Sequence, residues 1–306
     1  MNMLRSNIMG VALCSLLLLA GFLVSGNIMV YLNLPALLVV FGGTLGATLL
    51  SFPYQQVRAA IQVAKGAYLA PATDPDAVIM ALLDMSIRSK IDGLHSLEKA
   101  GQETTFAVLR DAMQMLADNY SEEDIRDILS TEILNFQQRR QHNERVFRSM
   151  AVYAPGFGLA GSIIGLVGLL FGLGSTGDIL RYIPIALVST LYGILAAYYV
   201  FSPIAECIRS KTEREVLTHR LIIEGAVAVK HETNPHILEK KLSAFLTPAA
   251  RRETQQSFSE VRQKYLRMVR TRQGEEERAK APAPSPASAQ APTEPSSRES
   301  ASTQRA

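Results

Sequence analysis

The sequence predicts an all-α polytopic membrane protein with four transmembrane helices and a helical cytoplasmic domain. Three observations predict it. No charged side chain occurs between Arg5 and Arg58, between Arg148 and Asp178, or between Arg181 and Glu206. Uncharged apolar runs of about 18 or more residues are long enough to cross the hydrocarbon core as helices. The polar remainder of the 306 residues shows helix-start signals and helical periodicity, with no strand alternation of any length. Basic residues are also unevenly placed: residues 53–148 carry 11 Lys and Arg and residues 206–306 carry 18, whereas the two short inter-span turns carry only Arg181. Positive charge stays inside. Both large polar regions and both termini are therefore expected in the cytoplasm, and in a bacterium the membrane is the inner one. The net charge of +3 matters less than this placement.

The first uncharged stretch is too long for one span. It breaks at Ser25-Gly26-Asn27 and Asn33-Leu34-Pro35, which are turn and helix-start residues. Residues 1–52 are thus expected to form a hairpin, with spans near 8–24 and 35–52. Arg5 ahead of a leucine-rich run also fits a cleaved signal peptide, but the second span follows at once, as in a helical hairpin.

Residues 53–148 are expected to form the cytoplasmic helical domain. Asp74-Pro75-Asp76 supplies an N-cap, a proline at the first helical position and an acid in the first turn. Ser121-Glu122-Glu123-Asp124 is a capping-box start for a helix carrying Ile125, Ile128, Leu129 and Ile133. That helix is expected to run on through Phe136 and Phe147 into the third span, near 149–173. A turn with Gly174, Gly177, Asp178 and Arg181 precedes the fourth span, near 182–205. Residues 206–255 read as cytoplasmic helices broken at Asn234-Pro235, the last near 236–245. Residues 256–306 are a charged, Ala/Pro/Ser-rich tail, expected to be disordered from about 274 because it has too little apolar area to bury.

Within the spans, small residues recur on helical faces. Ala154, Gly158, Gly161, Gly165, Gly168 and Gly172 share one face of the third span, and Ala186, Thr190, Gly193 and Ala197 one face of the fourth. In lipid such faces let helix backbones approach closely. Pro155 and Pro203 lie near the cytoplasmic ends of these spans and each removes a backbone hydrogen bond, marking a kink or a hinge. Ser162, Ser189 and Thr190 are hydroxyls deep in the same two spans. Each is able to bond back to its own helix or to line a hydrated ion path. No span contains Asp, Glu, His, Lys or Arg. An ion carrier usually needs an ionisable group in the membrane, so that group would come from another chain.

Enzyme classes find no support: there is no phosphate loop, nucleophile triad or metal-ligand spacing, and the five His do not cluster in sequence. Cys14 and Cys207 are isolated and read as packing residues. No metal or cofactor is expected. The basic regions are accounted for by membrane orientation rather than by nucleic acid.

The run Ala154-Pro155-Gly156-Phe157-Gly158-Leu159-Ala160-Gly161-Ser162 resembles the third-span signature of the flagellar stator family of MotA and PomA. Pro184-Ile185-Ala186-Leu187-Val188-Ser189-Thr190-Leu191-Tyr192-Gly193 is similar to its fourth-span signature. Phe41-Gly42-Gly43-Thr44 matches the second span, and Ile223-Glu224-Gly225, Asn234-Pro235 and Phe245-Leu246-Thr247-Pro248 resemble the cytoplasmic tail. The resemblance covers about residues 1–255. It implies an ion-driven motor, namely a homopentamer around two copies of a single-span, peptidoglycan-binding MotB-like partner that supplies the membrane Asp. Inward H+ or Na+ flow would turn the pentamer, which pushes on the rotor protein FliG. It further implies that Ser162, Ser189 and Thr190 line the ion pathway in the lipid membrane, that Pro155 and Pro203 are conformational prolines, and that Arg88, Lys90 and Glu98 meet the rotor. Ser162 stands where most members have Thr, and Ser189-Thr190 matches neither the sodium-type nor the proton-type pattern, so the ion stays open with a lean to sodium on oxygen count. A TolQ/ExbB-type energiser of envelope transport uses a related core but has three spans, and the N-terminal hairpin speaks against it. A stator-like motor for a non-flagellar process shares every motif named.

Overall fold

The computed structural model describes residues 31–69, 75–104, 106–171, 176–231 and 235–246, with isolated positions at 10, 12–13, 15–16, 20–21, 23–24, 251 and 263. The first expected span, the Asp74 cap, Gly174, Asn234 and the C-terminal tail lie wholly or largely outside the described residues. The chain divides into Met1–Arg262 and Gln263–Ala306. All that follows concerns the first unit.

Its described elements are all helices, with no strand among the described residues. Helix α1 spans Leu34–Ser51 and starts where Asn33 Oδ1 accepts a hydrogen bond from the Ala36 amide at 3.0 Å. Helix α2 is Tyr54–Leu69, α3 Pro75–Asp92, α4 Leu97–Glu103 and α5 Ala107–Ala117. Helix α6 runs unbroken from Glu122 to Phe171, 50 residues, about 75 Å at 1.5 Å per residue. Helix α7 is Thr176–Leu195, followed by a π turn over Ala196–Phe201 and by α8, Ser202–Lys230. Helix α9 is Pro235–Ser243. Three helical stretches are long and apolar enough to cross a membrane: α1, the second half of α6, and α7 with its continuation.

The helix ends follow local chemistry. Ser121 Oγ accepts from the Asp124 amide at 3.1 Å and donates to its carboxylate at 2.5 Å, so the start of α6 is capped. Gly177 and Asp178, turn residues by composition, belong to the first turn of α7. Pro184 is absorbed inside α7. Pro155 is likewise interior to α6. Pro203 falls in the first turn of α8, directly after the π turn. A wider turn carries the carbonyls past a ring that would otherwise clash with them.

Two apolar cores result. One joins α3, α5, the N-terminal half of α6, the C-terminal half of α8 and α9, through Leu82, Leu109, Met113, Leu116, Ile125, Leu129 and Ile222. The other packs Ala60 and Ala64 of α2 against Val146, Phe147, Met150 and Ala154 of α6 and Phe201, Ala205 and Ile208. Lys211, itself buried, donates from Nζ to the Gly66 carbonyl at 2.8 Å and so caps the last turn of α2. Glu224 accepts from Arg126 at 2.7 Å and pairs with Lys241 at 2.9 Å, tying α6, α8 and α9 together. Burial pushes its carboxyl up, but the bonds from Lys241 and Arg126 outweigh burial and hold it below the usual carboxylate range.

His219 of α8 tilts against Phe136 of α6, ring centroids 5.1 Å apart, beside the Arg140–Glu215 pair. Its Nδ1 is buried without a hydrogen-bond partner, and burial holds its pKa below the ordinary imidazole value. The unfolded chain takes up this proton near pH ~6.5, the folded chain only at lower pH. The unfolded state binds more protons in between, so stability is full above that pH and falls as pH drops toward the folded value. A His219→Leu variant is expected to lose less thermal stability than the parent between pH 7 and pH 5, measured as Tm against pH. Parallel curves would remove His219 from the acid response.

Candidate functional site

The spacing of small residues brings α6 and α7 together. A Cβ on Gly158 would stand 2.9 Å from the Ser189 carbonyl oxygen, and one on Gly165 2.6 Å from the Ala186 nitrogen. A Cβ on Gly193 would stand 2.7 Å from the Ala154 carbonyl oxygen. The two backbones meet with no room for a methyl group, and this contact places three hydroxyls between or beside the helices.

Ser162 Oγ lies 2.5 Å from the Ala186 carbonyl oxygen and 2.5 Å from Thr190 Oγ1, with the Gly158 carbonyl at 3.2 Å. A serine has one proton to give, and a carbonyl only accepts. Ser162 therefore donates to Ala186, and Thr190 donates to Ser162. The pair keeps free lone pairs on neutral oxygens and has no acid or base of its own. Both residues are half-buried. Ser189 is separate. It is fully buried, its Oγ donates to the Ile185 carbonyl at 2.6 Å, and its Cβ and Oγ fill the space beside Gly161. Adjacent positions on a helix face different ways, so the structure unites Ser162 with Thr190 and turns Ser189 into the helix contact.

Tyr192 carries a structural role that its place in an apolar span does not signal. Its hydroxyl donates to the Tyr31 carbonyl and accepts from the Asn33 amide at 3.2 Å, pinning the start of α1 to α7. Ser51 and Tyr153 hydroxyls, 3.0 Å apart, fix the other end of α1 to α6. Thr44 and Thr48, buried in α1, bond back to the Val40 and Thr44 carbonyls at 2.6 and 2.7 Å.

At the corner between α3 and α4, Gly93 has φ +80° and ψ 169°, a conformation open to glycine and strained for other residues. It reverses the chain between α3 and α4. Lys90 lies in the last turn of α3 and Glu98 in the first turn of α4, each with the sign its helix end favours. Arg88 is exposed and held by Asp84 at 2.8 Å and Glu103 at 3.7 Å. The three residues thus belong to one helical corner. Glu122 and His231 form a further pair at 2.6 Å, and the hydrogen bond from His231 holds the Glu122 carboxyl below its usual range.

Residues 100–220 match the family described as the MotA/TolQ/ExbB proton channel family. The chain is 31% identical over 234 residues to the uncharacterized protein YtxD of Bacillus subtilis, covering 76% of this chain and 85% of YtxD. It is 32% identical over 181 residues to motility protein A of Borreliella burgdorferi, covering 59% of this chain and 70% of that protein. The structure of the flagellar MotAB stator complex from Bacillus subtilis superposes with a TM-score of 0.76 at 26% identity, covering 81% of this chain and 98% of the matched one. With the glycine-lined α6–α7 contact and its paired hydroxyls, these similarities identify the protein as a member of the MotA/TolQ/ExbB proton channel family.

Proposed function

We propose that the chain is an ion-conducting stator subunit of a bacterial flagellar motor. The observation that carries this reading is the Ser162–Thr190 hydroxyl pair, seated in apolar spans that contain no ionisable group. Neutral oxygens at such a place suit a cation whose permanent counter-charge belongs to another chain. A MotB-like single-span partner would supply that acid, with five copies of this chain around two of the partner. The chain would cross the inner membrane four times, with residues 1–52 as a hairpin, residues 53–148 and 206–255 in the cytoplasm, and both termini inside. The passing ion is H+ or Na+. Ser189 would join the path only by giving up its bond to Ile185, which takes away the oxygen that favours sodium. Pro155 and Pro203, at the cytoplasmic ends of the two lining helices, are placed to absorb bending as the ion passes.

The corner bearing Arg88, Lys90 and Glu98 would press on the rotor protein FliG. Exposed charge pairs contribute roughly 0.2–1 kcal/mol each, so neutral single substitutions are expected to be mild and reversals severe. The experiment is swimming of a cell whose only stator is this chain with its partner. Motility is expected, and Lys90→Glu with Glu98→Lys is expected to abolish it while leaving membrane levels unchanged. Absence of motility with the parent chain, despite assembly with the partner, would point to a non-flagellar machine. Normal swimming after both reversals would clear this corner of a rotor role.

A further inference from the structure

Helix α2 lies across the bundle rather than along it. Near its start, Gln56 Nε2 donates to the His142 carbonyl of α6 at 3.1 Å. Near its end, Lys211 of α8 reaches the Gly66 carbonyl, and the Tyr68 hydroxyl donates to the Cys207 thiol. His142 lies seven positions before Ser149, where the charge-free run of α6 begins, and Cys207 two positions after Ala205, where the second charge-free run ends. At 1.5 Å per residue these two anchors sit about 10 Å and about 3 Å below the spans. The 16 residues of α2 are about 24 Å long, so a helix running down the membrane normal would not meet both. The headgroup layer is about 5–7 Å thick on each side of a bilayer, and α2 runs along it. The corner is made at Phe52, extended at φ −133° and ψ 139°, ahead of Pro53.

The outer face of α2 suits that place. Ala60 and Ala64 are buried against α6 and α8. Tyr54, Arg58, Ile61, Lys65 and Leu69 follow one another at steps of four, three, four and four, which is one helix face. Tyr54 is 70% exposed and Leu69 77%, and both cations are exposed between them. No acid occurs in α2 or anywhere before Asp74. The winding fixes which way this face turns. Viewed from the membrane, successive residues advance about 100° counterclockwise around α6. In that sense Val146 and Met150, which meet α2, precede Arg140, which meets α8. Helix α2 travels from the α6 side to the α8 side. Its own right-handed winding therefore lifts residues about 100–140° past Ala60 toward the membrane. Tyr54, Ile61 and Lys65 stand in that arc, and Arg58 borders it.

We propose that α2 is seated on anionic phospholipids of the leaflet it faces, with Arg58 and Lys65 on the headgroup phosphates and Tyr54 and Ile61 at the acyl boundary. The inference rests on the membrane placement argued above, not on the machine that the channel drives. Basic side chains next to a bilayer are drawn to an anionic leaflet. Their stems lie along apolar surface while the charged heads reach outward, and a helix edged in this way lies in the plane of the interface.

The test uses the full chain with Cys14→Ser and Cys207→Ser, reconstituted in phosphatidylcholine vesicles with a minor fraction of phosphatidylglycerol. A fluorophore on Ile61→Cys is quenched by spin-labelled lipid of either headgroup at equal mole fraction. Phosphatidylglycerol is expected to quench it at least twofold more than phosphatidylcholine. A label on Gln62→Cys, about 100° further round and away from the membrane, is expected to be quenched at least twofold less. Arg58→Gln with Lys65→Gln should abolish the headgroup preference at unchanged Tm, and Arg58→Lys should keep it. Equal quenching by the two lipids, or at the two labelled positions, overturns the proposal while leaving the channel reading in place. So does quenching by a spin label on a second copy instead of by lipid, which would make this face a contact between copies. A label on Leu50→Cys, 91% exposed in α1, is the reference within a span. Absence of lipid quenching there would defeat the membrane placement, and this proposal with it.

Discussion

A Ser162→Ala, Thr190→Ala double variant is expected to conduct cations at least tenfold more slowly than the parent while assembling normally. The parent pair offers neutral lone pairs and a hydroxyl chain to the Ala186 carbonyl. Two methyl groups would leave a dry gap in which neither a water nor a partly dehydrated cation finds an oxygen. A tenfold loss is about 1.4 kcal/mol on the barrier, the scale of one or two lost hydrogen bonds. One charge crossing about 100 mV releases about 2.3 kcal/mol, so an oxygen site that held the ion much more strongly would trap it. The measurement is ion flux or motor speed at fixed membrane potential, with sodium varied at constant pH. Full flux in the double variant would move the path elsewhere, and a Ser189→Ala variant then becomes the one to examine. Sodium-independent flux would assign the proton.

Gly165→Val is expected to have the largest effect on folding and assembly. Even the first carbon of the new side chain would stand 2.6 Å from the Ala186 nitrogen and 2.8 Å from its Cα. Those are backbone atoms of a neighbouring helix and have no rotamer to change. Overpacking typically costs ~1–3 kcal/mol, and here the relief is separation of α6 from α7, which also pulls Ser162 away from Thr190. Loss of both Tm and flux is expected. Gly66→Ala makes the contrast: nothing lies within 4 Å of its added Cβ, and Ala gains roughly 0.8–1 kcal/mol over Gly inside a helix. A Gly165→Val protein as stable as the parent would contradict the close-packed contact.

The helical, membrane-spanning class is legible because a long run without charge suits almost no element except a membrane span, and because Ser121 announces a helix start through a bond made within one turn and Pro75 through its fixed φ. Glycines at steps of three and four reveal that a close contact exists. They do not reveal that Gly165 meets Ala186 while Gly161 meets Ser189, since partner identity depends on the rotation of two helices. For the same reason Ser189 and Thr190 look equivalent in sequence and are not equivalent in space. The residues Gly174 to Arg181 read as a turn because glycine and charge are turn signals, and the helix nevertheless begins at Thr176. The roles of Tyr192 and Lys211 are not legible, because a lone tyrosine in an apolar run, or a lysine in a basic one, gives no directional signal until its acceptor is known. The hydroxyl pair is legible through family resemblance rather than chemistry, for hydroxyls in a membrane helix more often satisfy only their own backbone.

The unbroken course of α6 has a mechanical consequence. Glu122 is 33 positions from Pro155, about 50 Å along the axis. A stiff rod carries a tilt along its whole length, and the displacement grows with distance from the pivot. Tilting it by about 5° about Pro155 would sweep the Glu122 end through about 4 Å. Under the stator reading, a rearrangement of well under one helical turn near Pro155 would be geared up into a stroke at the Glu122 end, with no need to remodel the helices packed there.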